Sequence, residues 1–271
     1  MARRRNRKRE DKIPQLAGIG MIVVVFIIMG ALLWLRPDPI VRDPDTLCRS
    51  DGPSLITAIL LDSTDSFGAT TKQDLSNQMW DCLNESEENH EISIFAVDAI
   101  REKTLEPIIR VCNPGDPDEA DPLIQSEAII RRKWNQKFRQ PLEEKLDSLL
   151  TAEEAPSSPI MESIQSVSIT HFQSASRDTI PRRLIIISDL LQNSDEISFY
   201  TETPDFNRFQ RTPTSRWLNP DLRNVDIEIW LIQRRQPKQG DGGSLLKFFK
   251  SWLEEHGGRV VRVLRTSGIN D

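Results

Sequence analysis

Oxygen-bearing side chains recur at alternate positions in Asp62-Ser63-Thr64-Asp65-Ser66, directly after the apolar run Leu55-Ile56-Thr57-Ala58-Ile59-Leu60-Leu61. A carboxylate at 62 with hydroxyls at 64 and 66, delivered together at the end of a buried strand, is a ligand set for a hard divalent cation. Two distant segments carry matching groups. Ser158 stands in Ser157-Ser158-Pro159-Ile160, and Asp189 follows Leu184-Ile185-Ile186-Ile187-Ser188. Each piece also has a plainer reading, because Thr64, Ser66, Ser158 and Asp189 are all residue types that cap helices and turns. Capping does not require the conjunction.

The elements that must position these groups alternate along the chain. Strands are expected at 55–61, 92–97, 107–112, 184–187, 225–232 and 260–264. Helices are expected at 71–83, with Thr71 and Asp74 as a capping box, and at 124–135, 141–150, 159–169 and 244–256, the last closed by Gly257-Gly258. Continuously apolar strands separated by helices indicate an α/β, doubly wound, mostly parallel sheet covered on both faces, with the 107–112 strand antiparallel at an edge. In such sheets ligands bind at the carboxyl ends of the strands. Asp62 and Asp189 emerge at that edge.

Taken in order, Asp62-x-Thr64-x-Ser66, Ser158-Pro-Ile and Ile-Ile-Ile-Ser-Asp189 resemble the metal-ion-dependent adhesion site of von Willebrand factor A domains. The family pattern is Asp-x-Ser-x-Ser after the first strand, a Thr in a later loop and an Asp ending the fourth strand. This chain departs from it at Thr64 and Ser158, and both exchanges keep a hydroxyl oxygen. The resemblance covers about residues 54–265. It implies Mg²⁺, or Mn²⁺, held by Asp62, Thr64, Ser66, Ser158 and Asp189, with one position left for an acidic residue of a partner protein.

Leu16 to Leu35 is a run of twenty residues without a charge, about 30 Å as a helix, which matches the hydrocarbon thickness of a bilayer. The run is longer than the apolar part of a cleaved leader and ends in Trp34-Leu35-Arg36-Pro37, so a retained single-pass anchor is expected. Residues 1–36 hold eight Lys/Arg against two Asp/Glu, and residues 37–271 hold 27 against 39. The basic end should stay in the cytoplasm and the acidic remainder on the far side, periplasmic in a bacterium. An acidic exported part is a poor nucleic-acid partner. The organisation expected is a basic tail at 1–15, an anchor at 16–35, a proline-rich stalk at 36–53 and the folded domain at 54–271.

Cys48, Cys82 and Cys112 would lie in an oxidising space, where one pair and one leftover thiol is the natural count. Neither they nor the scattered His90, His171 and His256 have the spacing of a zinc site. The segment 201–223 sets Phe206, Phe209 and Trp217 among Arg208, Arg211 and Arg216, residue types favoured at binding hot spots, and equally reads as an ordered surface loop.

These observations favour a non-enzymatic, membrane-anchored binding module of a bacterial envelope complex, which grips an acidic group of a partner protein through Mg²⁺. A metal-free scaffold of the same fold is the alternative. A phosphatase or phosphotransferase of the haloacid dehalogenase type would need a second Asp at position 64, which is Thr. No phosphate-binding Gly-x-x-x-x-Gly-Lys-Ser/Thr loop is present. The sequence does not set the oligomeric state.

Overall fold

A computed structural model describes residues 12–34, 41–64, 66–97, 104–115, 127–151, 155–173, 179–200, 204–233 and 242–266. The chain divides into two units, Met1–Val41 and Arg42–Asp271. In the first, helix α1 covers Lys12–Trp34. Among the described residues no helix is long and apolar enough to cross a membrane.

The second unit is built on a six-stranded sheet in the order β3-β2-β1-β4-β5-β6. The strands are β1 (Leu55–Leu61), β2 (His90–Ala96), β3 (Ile109–Cys112), β4 (Arg182–Ser188), β5 (Val225–Ile232) and β6 (Arg259–Thr266). All pairings are parallel except β2 with β3. The sheet is therefore α/β with one antiparallel edge, as the apolar strands led one to expect. The order reverses between β1 and β4, the crevice where α/β sheets place their ligands.

Alternation along each strand builds two cores. Ile56, Ala58, Leu60, Leu184, Ile186, Ile227 and Ile229 face one side, with helices α5 (Ile160–Val167) and α8 (Gly242–Glu255) over them. Ile59, Leu61, Ile185, Ile187 and Trp230 face the other, under α2 (Ala69–Asn84) and α4 (Gln140–Leu150). Burial on both faces is what makes β1 and β4 nearly continuously apolar over 58–61 and 184–187, whereas β5 opens with Asp226 and Glu228 at alternate positions.

Three local details differ from the sequence expectations. Helix α2 starts at Ala69 behind Gly68, and no side chain caps its N-cap, so Thr71 lies buried inside the helix and not in a capping box. The two helices expected on either side of Pro141 form one continuous run, α3 (Glu127–Trp134) joined to α4 through a π-helical turn at Asn135–Arg139. Pro141 lacks an amide donor and crowds the carbonyl four residues back, and the wider turn before it relieves both.

Residues 42–53, read from composition as stalk, belong by contact to the folded unit. Leu47 and Cys48 are buried, and Cys48 is disulfide-bonded to Cys112 at the end of β3. The pairing left open by the sequence is thus fixed, and Cys82 is a buried free thiol. The sequence places proline and charge here, but two apolar side chains and a covalent link outweigh them.

Candidate functional site

Strand β1 delivers Asp62 at the reversal point. The ladder continues past the strand, since the Asp62 amide donates to the Ile187 carbonyl at 2.8 Å and the Val97 amide to the Leu61 carbonyl at 2.8 Å. This holds the Asp62 backbone level with the end of β4.

The Asp62 carboxylate is 3% exposed and is met from three loops. Thr64 Oγ1 donates to Oδ1 at 2.6 Å, with the Thr64 amide 3.2 Å from the same oxygen. On Oδ2 converge the hydroxyls of Ser158 at 3.1 Å and Ser188 at 2.8 Å. The three donors come from the β1 loop, the segment before α5 and the last residue of β4. Their sequence separations from Asp62 reach 126 residues, so only the fold unites them.

The supporting shell is equally specific. Ser158 pairs with Asn193 through both backbone bonds, 2.8 and 2.9 Å, and the Ala155 amide reaches the Thr64 carbonyl at 2.8 Å. Gln192, fully buried, accepts from the Met161 amide at 2.9 Å and donates to Glu162 at 2.8 Å, which locks the Asp189 loop to the start of α5. Leu190 holds a left-handed φ of 64°, a conformation costly for a branched side chain, and its amide donates to Ser188 Oγ at 2.8 Å. Backbone strain is thus held directly beside the hydroxyl that faces Asp62.

Of the residues singled out from sequence, Asp62, Thr64 and Ser158 are in direct contact. Ser158 does not cap α5, whose N-cap is Pro159 without a side-chain bond. Ser66 is exposed two residues beyond Thr64, and Asp65 lies outside the described residues. Asp189 is half-buried, and its Oδ1 accepts the Leu191 amide at 2.9 Å. Ser188 was not among the expected ligands. A hydroxyl closing an isoleucine run on a buried strand was the available signal.

The donor set is a carboxylate and hydroxyls, hard oxygen ligands that suit Mg²⁺ or Mn²⁺ better than a thiolate-seeking metal. Among the described residues no lysine or arginine contacts Asp62. Burying a carboxylate against neutral donors alone is costly, roughly several kcal/mol before compensation. A hydroxyl that donates to Asp62 keeps lone pairs for a cation. The residues present therefore fit a divalent ion. Elsewhere among the described residues, Cys48, Glu91 and Cys112 cluster closely, but both sulfurs are spent in the disulfide and offer no thiolate.

Near the amino ends of the strands lies a second polar group. Thr57 Oγ1 and His90 Nε2 are 2.7 Å apart, and Arg183 donates to Glu228 at 2.6 Å. Burial, reinforced by the Arg183 charge, pushes the His90 imidazole down to about 4. Burial likewise raises the Cys82 thiol. Both groups are neutral at pH 7, and neither resembles a reactive centre.

The segment after the site is ordered as α6 (Phe206–Phe209) and α7 (Thr214–Trp217). Phe199, Phe206 and Phe209 stack on Phe248 of α8, with ring centroids 4.8 to 5.8 Å apart. Their anchoring leaves Arg208, Arg211, Arg216 and Trp217 exposed, Trp217 by 43%. Asn193 bridges to both Ser158 and Ser198, which ties the segment before α5 to the loop after β4.

Neither known family models nor curated proteins match the chain. Solved structures similar to it include proximal thread matrix protein 1 of the mussel byssus, at TM-score 0.42 and 11% identity, covering 80% of this chain and 43% of that one. Another is BatB from Bacteroides thetaiotaomicron, at TM-score 0.41 and 10% identity, covering 78% and 89%. A third is a von Willebrand factor type A structure from Catenulispora acidiphila, at TM-score 0.39 and 12% identity, covering 78% and 38%. The chain thus spans less than half the length of the first and third. At such identities likeness is a matter of fold alone, and the α/β assignment stands on strand order and register.

Proposed function

We propose that the chain is a membrane-anchored, von Willebrand factor A-like binding module. It holds Mg²⁺, or Mn²⁺, on Asp62, Thr64, Ser66, Ser158, Ser188 and Asp189 and engages an acidic residue of a partner protein in a bacterial envelope complex. The observation that carries this reading is the buried Asp62 carboxylate, met by hydroxyls from three separate segments of the chain and by no cationic side chain among the described residues. A bound ion would supply the missing positive charge and an acceptor for a partner carboxylate. Arg208, Arg211, Arg216 and Trp217, exposed on α6, α7 and the turn between them, would add to the partner surface. The module binds and does not turn over substrate.

The anchor in this reading is residues 16–35, of which 16–34 lie on α1. Nine consecutive side chains there, Met21 to Met29, are large, apolar and 47–72% exposed, a surface that water disfavours and lipid accommodates. The basic residues ahead of it favour a cytoplasmic amino terminus with the domain on the far side.

One observation favours a second reading. Three hydroxyls and an amide already satisfy Asp62, as a metal-free scaffold would require. Thermal unfolding of the full chain in detergent micelles under Mg²⁺ titration separates the two. A module gains stability with saturation, about 2.7 kcal/mol at a hundredfold excess over the dissociation constant, and Asp62→Ala gains none. A scaffold shows the same curve with and without Mg²⁺. Release of phosphate from a simple ester would instead favour an enzyme.

A further inference from the structure

The two edges of the sheet are treated differently. At one, β3 is four residues long, and the segment ahead of β1 lies against it, with the Cys112 amide donating to the Thr46 carbonyl at 2.7 Å beside the Cys48–Cys112 bridge. That edge is closed. At the other, β6 is eight residues long, and among the described residues it pairs with β5 alone. Among the described residues nothing pairs with its outer row of amides and carbonyls, a form of edge that proteins ordinarily shorten or cover.

The side chains along β6 specify what could add there. A register shift between Ile227 and Glu228 leaves Val261 as the extra residue, 49% exposed, and Val263 is 38% exposed. Arg259 is held by Asp226 at 2.7 Å through two nitrogens. Arg262 and Arg265 have no acidic partner among the described residues, and β6 contains no Asp or Glu. This basic, apolar row belongs to a part of the chain that is otherwise acidic, with 27 Lys/Arg against 39 Asp/Glu over residues 37–271.

We propose that the outer edge of β6 is a docking site for an extended acidic segment of a partner protein, which adds as a further strand. Backbone hydrogen bonds would supply affinity and cross-strand side-chain pairs the choice of sequence. Arg262 and Arg265 are three positions apart with Val263 and Leu264 between, so they lie on opposite faces of the strand. The fitting segment carries two acidic residues at that spacing around two apolar ones, one carboxylate toward each face. A second copy of this chain fits poorly, because two paired β6 edges would bring together only basic charge, with no Asp or Glu on either strand. Like charges directly opposed across strands are destabilising. The site lies on an edge that the Asp62 loops do not touch, so it neither needs nor excludes the metal reading.

The test uses the full chain in detergent micelles and a fluorescent peptide of the length of β6, valine-rich, with two glutamates three positions apart. Anisotropy should report saturable binding that persists in EDTA. Replacing the glutamates by lysine, or the chain's arginines by Arg262→Glu and Arg265→Glu together, should weaken it at least about tenfold. Peptide N-methylation on alternate residues should abolish binding in one phase and spare it in the other, as strand addition through a single edge requires. Absence of binding, binding indifferent to charge reversal, or equal effects of the two methylation phases would each overturn the proposal. So would self-association of the chain, seen in sedimentation, that grows weaker when β6 is altered.

Discussion

Lowering the pH should destabilise this domain through His90, at the opposite end of the sheet from the metal loops. The imidazole is 3% exposed and 2.7 Å from Thr57 Oγ1, and burial with the nearby Arg183 charge takes it from 6.5 to about 4. The unfolded chain binds a proton at His90 below about pH 6.5 that the folded chain refuses until about pH 4. His90 therefore leaves stability intact above pH 6.5 and removes it progressively as the pH falls. At 1.36 kcal/mol per pH unit the full loss is about 3 kcal/mol, of which about 2 kcal/mol is felt by pH 5. Against a total of about 5–15 kcal/mol this is a large fraction. Urea titration at about pH 7.5 and about pH 5 should show a midpoint lower by roughly 1 M at the acid end, in excess of the shift in His90→Gln. Equal pH dependence in wild type and His90→Gln, or an imidazole that titrates near its ordinary value by NMR, would refute the reasoning.

Other perturbations have expected outcomes of their own. Removing the bridge in Cys48→Ala/Cys112→Ala frees a 64-residue separation and should cost about 4 kcal/mol of stability to chemical denaturation, with the same loss on reduction of the wild type. Gly257→Ala places a Cβ 2.7 Å from the Arg223 side chain at a φ of 87°, so its thermal midpoint should fall, by a cost of roughly 1–3 kcal/mol. Ser188→Ala removes a hydroxyl from Asp62 and should weaken Mg²⁺ binding, read by calorimetry, about tenfold while leaving the far-ultraviolet dichroism unchanged.

The sheet was legible because its strands are buried on both faces. Runs such as Leu184 to Ile187 announce themselves without any helical competitor, and the strand bounds came out within a few residues. The site was legible in part. Asp62, Thr64 and Ser158 could be found because oxygen side chains at strand and helix ends are conspicuous, but capping was an alternative for Thr64 and Ser158 until the fold set both hydroxyls within 3.1 Å of the Asp62 carboxylate. Ser188 escaped notice because the neighbouring Asp189 is the more obvious ligand type, whereas strand alternation turns the hydroxyl at 188 toward Asp62.

The misread elements share a cause, since non-local contacts overrode local signals. Thr71 and Asp74 spell a capping box, yet burial of Thr71 draws α2 back to Gly68. Pro39, Pro44 and Pro53 suggest a stalk, yet a disulfide to β3 secures residue 48 to the domain. Arg208, Arg211, Arg216 and Trp217 read equally as surface loop or partner surface. The phenylalanines between them, stacked on Phe248, explain why such a segment is ordered while its arginines stay exposed.

The central claim is a divalent ion on Asp62. Electron paramagnetic resonance of Mn²⁺ added to the full chain in micelles reports it directly, since free Mn²⁺ gives a sharp signal that binding broadens away. The account predicts one bound ion per chain, displaced by Mg²⁺ and absent in Asp62→Ala. An unbroadened Mn²⁺ signal with the wild type, or bound Mn²⁺ that survives Asp62→Ala undiminished, would contradict it.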